Sequence, residues 1–270
     1  MCRKRARLAT VLAPLLLMGA MAHAADKPAP TAPVAAAPRP PGKASPAQRA
    51  EMGRADPLTR AAFWSNELAL DGRDLEAGVG LSQALRSLGR YDEAADAAGR
   101  VLLGAPDDYA ALMELARANI ERGQGFYAID PARRAAALQP RDWRPLSLLG
   151  VAYEQAKRDE EALAAHRQAV ALAPAEASPL ANLAMHLAQG GDLTGAEALL
   201  RKASTLPTAT IQVRQNLALV IGLQGRLDEA EKLARQDLPP ELVDNNLAWL
   251  RAATGQASAT RSWDAMKAGG

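Results

Sequence analysis

The side chains able to do chemistry are few in this 270-residue chain. Histidine occurs only as His23, His166 and His186, and the single cysteine is Cys2. His166 and His186 lie in helix-like patterns with no predicted acid or nucleophile beside them. Phosphate-binding loops, His-Glu-x-x-His sequences and nucleophile elbows are missing from the sequence. We therefore expect no enzyme activity, and no catalytic, cofactor-binding or metal-binding residues.

Two sets of polar residues recur at regular spacing. Pairs of carboxylates mark predicted helix starts, where negative charge meets the positive end of the helix dipole. They are Asp92-Glu93, Glu160-Glu161 and Asp228-Glu229. Asn182 and Asn216 are 34 residues apart, and each primary amide offers the donor and the acceptor that an extended peptide backbone needs. They are explained equally well as solvated surface residues.

The first 24 residues have the pattern of a Sec signal peptide. Basic residues fill four of the first seven positions, residues 8–22 are almost wholly apolar, and Ala22 and Ala24 stand where a signal peptidase reads. The alternative is a retained anchor, but this stretch is shorter than the ~20 residues that span a bilayer. We expect cleavage after Ala24 and a product in the periplasm with no transmembrane span, free or peripherally associated with the outer membrane.

Composition narrows the remaining classes. Hydrophobic residues make up 49% of the chain and aromatic residues 4%, so a core must be built from alanine and leucine on closely spaced helices. Removing the four leader bases from the 32 leaves 28 against 30 acids, which excludes a basic field for nucleic acid. Residues 25–56 are rich in proline and alanine and predict a disordered tether, with or without a spacing role.

A 34-residue period runs through the rest of the chain. Two residue types recur at it five times each, as Leu81, Leu115, Leu149, Leu183 and Leu217, and as Ala94, Ala128, Ala162, Ala196 and Ala230. Each period contains two amphipathic helical patterns, and such hairpins must stack to share a core. The third period reads Leu149-Gly150-x-x-Tyr153, then Ala162 and Pro174, and it resembles the tetratricopeptide (TPR) family.

The resemblance implies an all-α fold, a right-handed TPR α-solenoid. Its five units are residues 75–108, 109–142, 143–176, 177–210 and 211–239, between a capping helix at 57–74 and a capping helix with tail at 240–270. In TPR proteins the first helix of each unit lines a concave groove that binds protein segments. The groove residues implied here are Arg86, Met113, Glu114, Arg117, Val151, Asn182, Met185, Asn216 and Leu219, with Glu154 at a further lining position. The family's carboxylate clamp is missing, because Val79, Gly80 and Gln83 occupy its positions.

The carboxy-terminal block is similar to a narrower family. Residues 215–226, 237–241 and 246–250 resemble those of TadD, the TPR family of tight-adherence (Tad/Flp) pilus assembly. The resemblance implies a pilotin-like scaffold that supports the secretin or the secretion apparatus of the pilus. Members usually have a lipobox cysteine, where this chain has Ala20. The alternatives are a general periplasmic adaptor for cell-wall or polysaccharide machinery, and a solenoid that self-associates through its ends.

Overall fold

A computed structural model describes residues 42–255, which form two compact units, residues 42–123 and residues 124–255. Every regular element in this part of the chain is helical. The prediction of an all-α fold built from helix hairpins is confirmed. No helix within residues 42–255 is both long and apolar enough to cross a bilayer. The signal peptide, most of the predicted tether and the tail after residue 255 lie outside the described residues.

The first unit contains five α-helices and one 3-10 turn. In chain order they are α1 (Pro46–Glu51), the 3-10 turn (Met52–Arg54), α2 (Pro57–Leu70), α3 (Leu75–Ser87), α4 (Tyr91–Gly104) and α5 (Tyr109–Glu121). Each of the helices from α2 to α5 packs against the next, and α3 also contacts α5. Consecutive helices are therefore arranged as antiparallel neighbours, as short connections require.

The second unit continues the same alternation. Its helices are α6 (Gly125–Leu138), α7 (Trp143–Gln155), α8 (Asp159–Leu172), α9 (Ala177–Gln189), α10 (Leu193–Ser204), α11 (Ile211–Leu223), α12 (Leu227–Ala234) and α13 (Pro240–Ala253). The helices α3, α5, α7, α9 and α11 each begin 34 residues after the preceding one, and so do α4, α6, α8, α10 and α12. We call the first set the first helices and the second set the second helices.

The alanine repeat is the packing position of the second helices. Ala94, Ala128, Ala162, Ala196 and Ala230 are all at most 2% exposed. A methyl group at this position lets neighbouring helix axes approach closely, and a larger side chain would overpack the contact. The period in the sequence is therefore a record of helix packing.

The turn inside each hairpin explains a second repeated position. Four glycines stand there with positive φ, namely Gly89, Gly123, Gly191 and Gly225. In the third repeat the position is Lys157, with φ of 60°. Left-handed backbone costs an L-residue roughly 1–2 kcal/mol, so the shape of the turn selects glycine and Lys157 is a strained exception.

The amino-terminal part corrects one boundary predicted from the sequence. The predicted tether ran to residue 56, yet α1 forms within it and Ser45 caps it with a capping box. Arg49 of α1 pairs with Glu67 at 2.7 Å and with Asp74 at 2.6 Å, and both carboxylates are buried. Residues 43–54 are held to the fold because Arg49 supplies the positive charge that these two carboxylates need. The same bond from Arg49 lowers the pKa of Asp74.

The two ends of the described chain are closed by apolar contacts. Phe63 and Trp64 of α2 meet edge to face at 4.8 Å, and a Cβ on Gly80 would lie 2.5 Å from the Trp64 ring. At the other end, Leu250 of α13 packs so closely on α11 that a Cβ on Gly222 would lie 2.4 Å from it. Gly80, one of the clamp positions, is thus a packing residue.

A polar network joins the fourth and fifth repeats. Glu197 of α10 accepts bonds from Arg226 at 2.5 Å, Gln224 at 2.7 Å and Arg201 at 2.7 Å. Arg226 contributes most to lowering the pKa of Glu197, which falls to about 2. The carboxylate is largely covered while both arginines are about half exposed, so solvent screens the pairs.

Candidate partner-binding face

The first helices lie side by side within each unit. Helix α3 contacts α5, and in the second unit α9 contacts both α7 and α11. The nine predicted groove residues are on these helices, four in residues 42–123 and five in residues 124–255. The partner-binding face is defined here as those nine positions.

In the first unit the charged residues of this face bind one another. Arg86 Nε donates to Glu114 Oε2 at 3.0 Å, and Arg86 Nη1 donates to Glu121 Oε1 at 2.7 Å. Arg117 donates to the other oxygen of Glu114. Two arginines and two glutamates balance, so this half presents a compensated network where the sequence predicted arginines free to meet an acidic partner.

Burial corrects two further positions in the same unit. Met113 is 2% exposed and Glu114 is 1% exposed. A partner therefore cannot contact either side chain in this conformation. Met113 faces the packed side of α5, and Glu114 acts by holding Arg86 and Arg117 in place.

The second unit leaves more of the face accessible. Val151, Asn182 and Leu219 are half-buried, whereas Met185 and Asn216 are 9% and 8% exposed. Asn216 Oδ1 accepts a bond from Gln212 Nε2 at 3.0 Å. The amide of Asn182 makes no hydrogen bond to another residue within 42–255, which leaves its donor and acceptor available. Of the two asparagines, only Asn182 has the free amide that the sequence predicted for both.

One cluster beside this face was not predicted from the sequence. Glu154 Oε1 of α7 lies 3.0 Å from His166 Nε2 of α8 and 2.9 Å from His186 Nδ1 of α9. The two imidazole rings are 5.5 Å apart. Burial acts to raise the pKa of Glu154, but the hydrogen bonds from the two imidazoles outweigh it and the pKa is lowered. The expectation that neither histidine has an acid beside it is wrong.

A signal for this cluster was present in the third repeat. Gly150 of α7 faces His166, and a Cβ on Gly150 would lie 2.4 Å from His166 Cε1. The glycine makes room for an imidazole that is 1% exposed. A glycine and a large polar residue on the two helices of one hairpin indicate such a contact. The partnership with His186 needed the neighbouring repeat and was not visible in the repeat itself.

Comparison with known proteins supports the repeat pattern directly. Residues 146–179 match the family model described as tetratricopeptide repeat. A thermophilic TPR protein of Thermus thermophilus shares 28% identity over 65% of this chain and 98% of its own, with a TM-score of 0.58. A tetratricopeptide repeat protein from Parabacteroides merdae has a TM-score of 0.64 at 13% identity over 77% of this chain and 86% of its own.

The chain has the TPR fold. MamA from Desulfovibrio magneticus is similar in fold as well, with a TM-score of 0.53 and 24% identity over 59% of this chain and 89% of its own. No curated protein matches the sequence. The TPR fold indicates a scaffold for protein–protein interaction, and the first-helix face is where the TPR resemblance puts the partner.

Proposed function

We propose that this TPR protein is an exported scaffold that binds a protein segment on its first-helix face during assembly of a Tad/Flp-type pilus. The role is pilotin-like support of the secretin or the secretion apparatus, without chemistry. Export rests on the signal-peptide pattern of residues 1–24. The pilus role rests on the carboxy-terminal sequence block.

The unpaired amide of Asn182 carries the binding half of the proposal. It stands on α9 near two half-buried apolar side chains of the same face, Val151 and Leu219. An amide that can donate and accept, flanked by apolar surface, suits an extended segment with alternating side chains. In the first unit, Arg86 and Arg117 are already paired with glutamate, so we expect them to contribute less to affinity.

The carboxy-terminal block folds as one packed piece, which is consistent with selection on its sequence. Arg214 of α11 makes two hydrogen bonds with the Asp237 carboxylate, at 2.7 and 2.6 Å. Leu247 and Leu250 of α13 are buried in the same cluster as Leu217. These residues stabilise the end of the solenoid, and the pilus assignment therefore needs a functional test.

Photo-crosslinking in the native bacterium tests the partner and the face together. A photoreactive residue at position 182 samples the first-helix face, and one at position 168 is the matched control on the exposed side of α8. We expect a secretin or another pilus component to crosslink from position 182 and not from position 168. Capture of wall-synthesis or polysaccharide proteins at position 182 would favour the general adaptor, and crosslinks from position 168 alone would exclude the first-helix face.

Export has its own measurement. We expect the periplasmic fraction to contain a mature form that begins at Ala25. An amino terminus at residue 1 in a membrane fraction would show a retained anchor. Turnover of an envelope substrate that depends on His166 or His186 would contradict a role without chemistry.

A further inference from the structure

The cluster of Glu154, His166 and His186 draws one residue from each of three helices. Helices α7 and α8 belong to the third repeat, and α9 belongs to the fourth. We propose that these three side chains bind a divalent transition-metal cation of the Zn²⁺ class. The ion would connect two successive repeats beside the proposed partner-binding face.

The donor set fits such an ion. Two imidazole nitrogens and one carboxylate oxygen are the borderline ligands of Zn²⁺, Co²⁺ and Ni²⁺, and Mg²⁺ and Ca²⁺ prefer oxygen alone. One ligand atom from each residue lies within 4.8 Å of the other two. Tetrahedral Zn²⁺ with bonds of about 2.0–2.1 Å holds its ligands about 3.3 Å apart. Movements of about 1 Å by the side chains therefore suffice to close the site around an ion.

Charge gives a second reason. Within residues 42–255 no arginine or lysine pairs with Glu154, and its partners are the two imidazoles. Its side chain is 18% exposed, and those of His166 and His186 are 1% and 12% exposed. A largely covered carboxylate without a permanent cation nearby attracts a positive ion. The exposed fractions of Glu154 and His186 leave a path from solvent.

The surroundings of His166 set the expected affinity. Its Nδ1 is buried and has no hydrogen-bond partner among residues 42–255. No residue therefore fixes the tautomer that makes Nε2 a ligand. A missing outer partner typically weakens metal binding by about 10–100-fold, so we expect micromolar rather than nanomolar affinity for Zn²⁺. Water would complete the coordination, since the chain offers three ligands.

The test uses the full chain without a polyhistidine tag. Cys2→Ser and His23→Ala remove the remaining cysteine and histidine, so that His166 and His186 are the only soft ligands left. Titration calorimetry with Zn²⁺ should give one site of micromolar Kd. Co²⁺ should give visible absorption bands of a low-symmetry nitrogen and oxygen site, which Zn²⁺ then displaces.

Variants decide whether the cluster is the site. Glu154→Gln and His186→Ala should each weaken Zn²⁺ binding by about tenfold or more, and His186→Ala spares the fully buried imidazole. The matched control is Glu160→Gln, which removes an exposed carboxylate from α8. Circular dichroism establishes that each variant is folded. The proposal is overturned if the background chain binds Zn²⁺ no more tightly than millimolar, or if folded Glu154→Gln and His186→Ala bind it as the control does.

Discussion

Replacing Gly150 by alanine tests the packing of the third hairpin. The added Cβ would lie 2.4, 2.5 and 2.7 Å from His166 Cε1, Nδ1 and Nε2, where ordinary contacts begin at 3.4 Å. Either the ring or helix α7 must therefore move by up to about 1 Å. His166 is 1% exposed and its Nε2 is bonded to Glu154, so the ring has little freedom.

The magnitude follows from opposing terms. Overpacking a closed core costs about 1–3 kcal/mol, and disturbing a hydrogen bond to a charged group costs about 1.5–3 kcal/mol. Alanine is favoured over glycine in a helix by about 0.8–1.0 kcal/mol, which offsets part of this. We expect Gly150→Ala to lower the free energy of unfolding by about 2 kcal/mol. Gly99→Ala in α4 is the control, since a Cβ there has open space and should stabilise by about 0.5–1 kcal/mol.

Urea denaturation followed by circular dichroism measures both changes. The slopes must be compared as well as the midpoints, because repeat proteins can lose two-state behaviour. In a His166→Ala background the clash is absent, so Gly150→Ala should become neutral or stabilising. Equal effects of Gly150→Ala and Gly99→Ala, or no coupling between Gly150 and His166, would refute the packing described.

Three further predictions concern other parts of the chain. Lys157→Gly should stabilise by about 1 kcal/mol in urea denaturation by removing left-handed strain, and Gly191→Lys should destabilise by a similar amount; opposite signs would contradict the turn geometry. Glu197→Gln should lower stability by about 1 kcal/mol at pH 7. That difference should vanish as the pH falls from about 4.5 towards 2, since the lowered pKa makes the wild-type stabilisation present above this range and lost below it. A difference that persists at pH 2 would exclude the ion-pair origin. Arg49→Ala removes the cation that pairs with the buried Glu67 and should destabilise residues 42–123 by about 3 kcal/mol, with faster hydrogen exchange in α1; unchanged exchange would show that Arg49 does not hold α1.

Packing that repeats within the chain was visible in the sequence. The alanine position and the turn glycines recur every 34 residues because each repeat solves the same local problem, a close helix contact followed by a left-handed turn. Lys157 interrupts the glycine pattern, and the structure keeps the positive φ there, so the neighbouring helices impose the turn. The position of the nine candidate residues on the first helices also followed from the period.

Contacts between particular side chains were not visible. The sequence offered Arg86, Glu114 and Arg117 as one line of charges, but their mutual pairing depends on how α3 lies against α5. Burial of Met113 has the same origin, since a residue at the edge of a helical stripe is covered or exposed according to the neighbouring helix. The role of Arg49 was hidden because its partners lie 18 and 25 residues away in segments of different composition.

By itself the sequence determined the helical class, the length of the repeat and the positions of the turns. Periodic patterns of small and apolar residues are sufficient for these, since they depend on neighbours along the chain and on identical contacts from one repeat to the next. Only the tertiary structure decided which polar groups are free and which are paired. Glu154, His166 and His186 meet because three helices from two repeats converge, and no spacing along one helix contains that geometry.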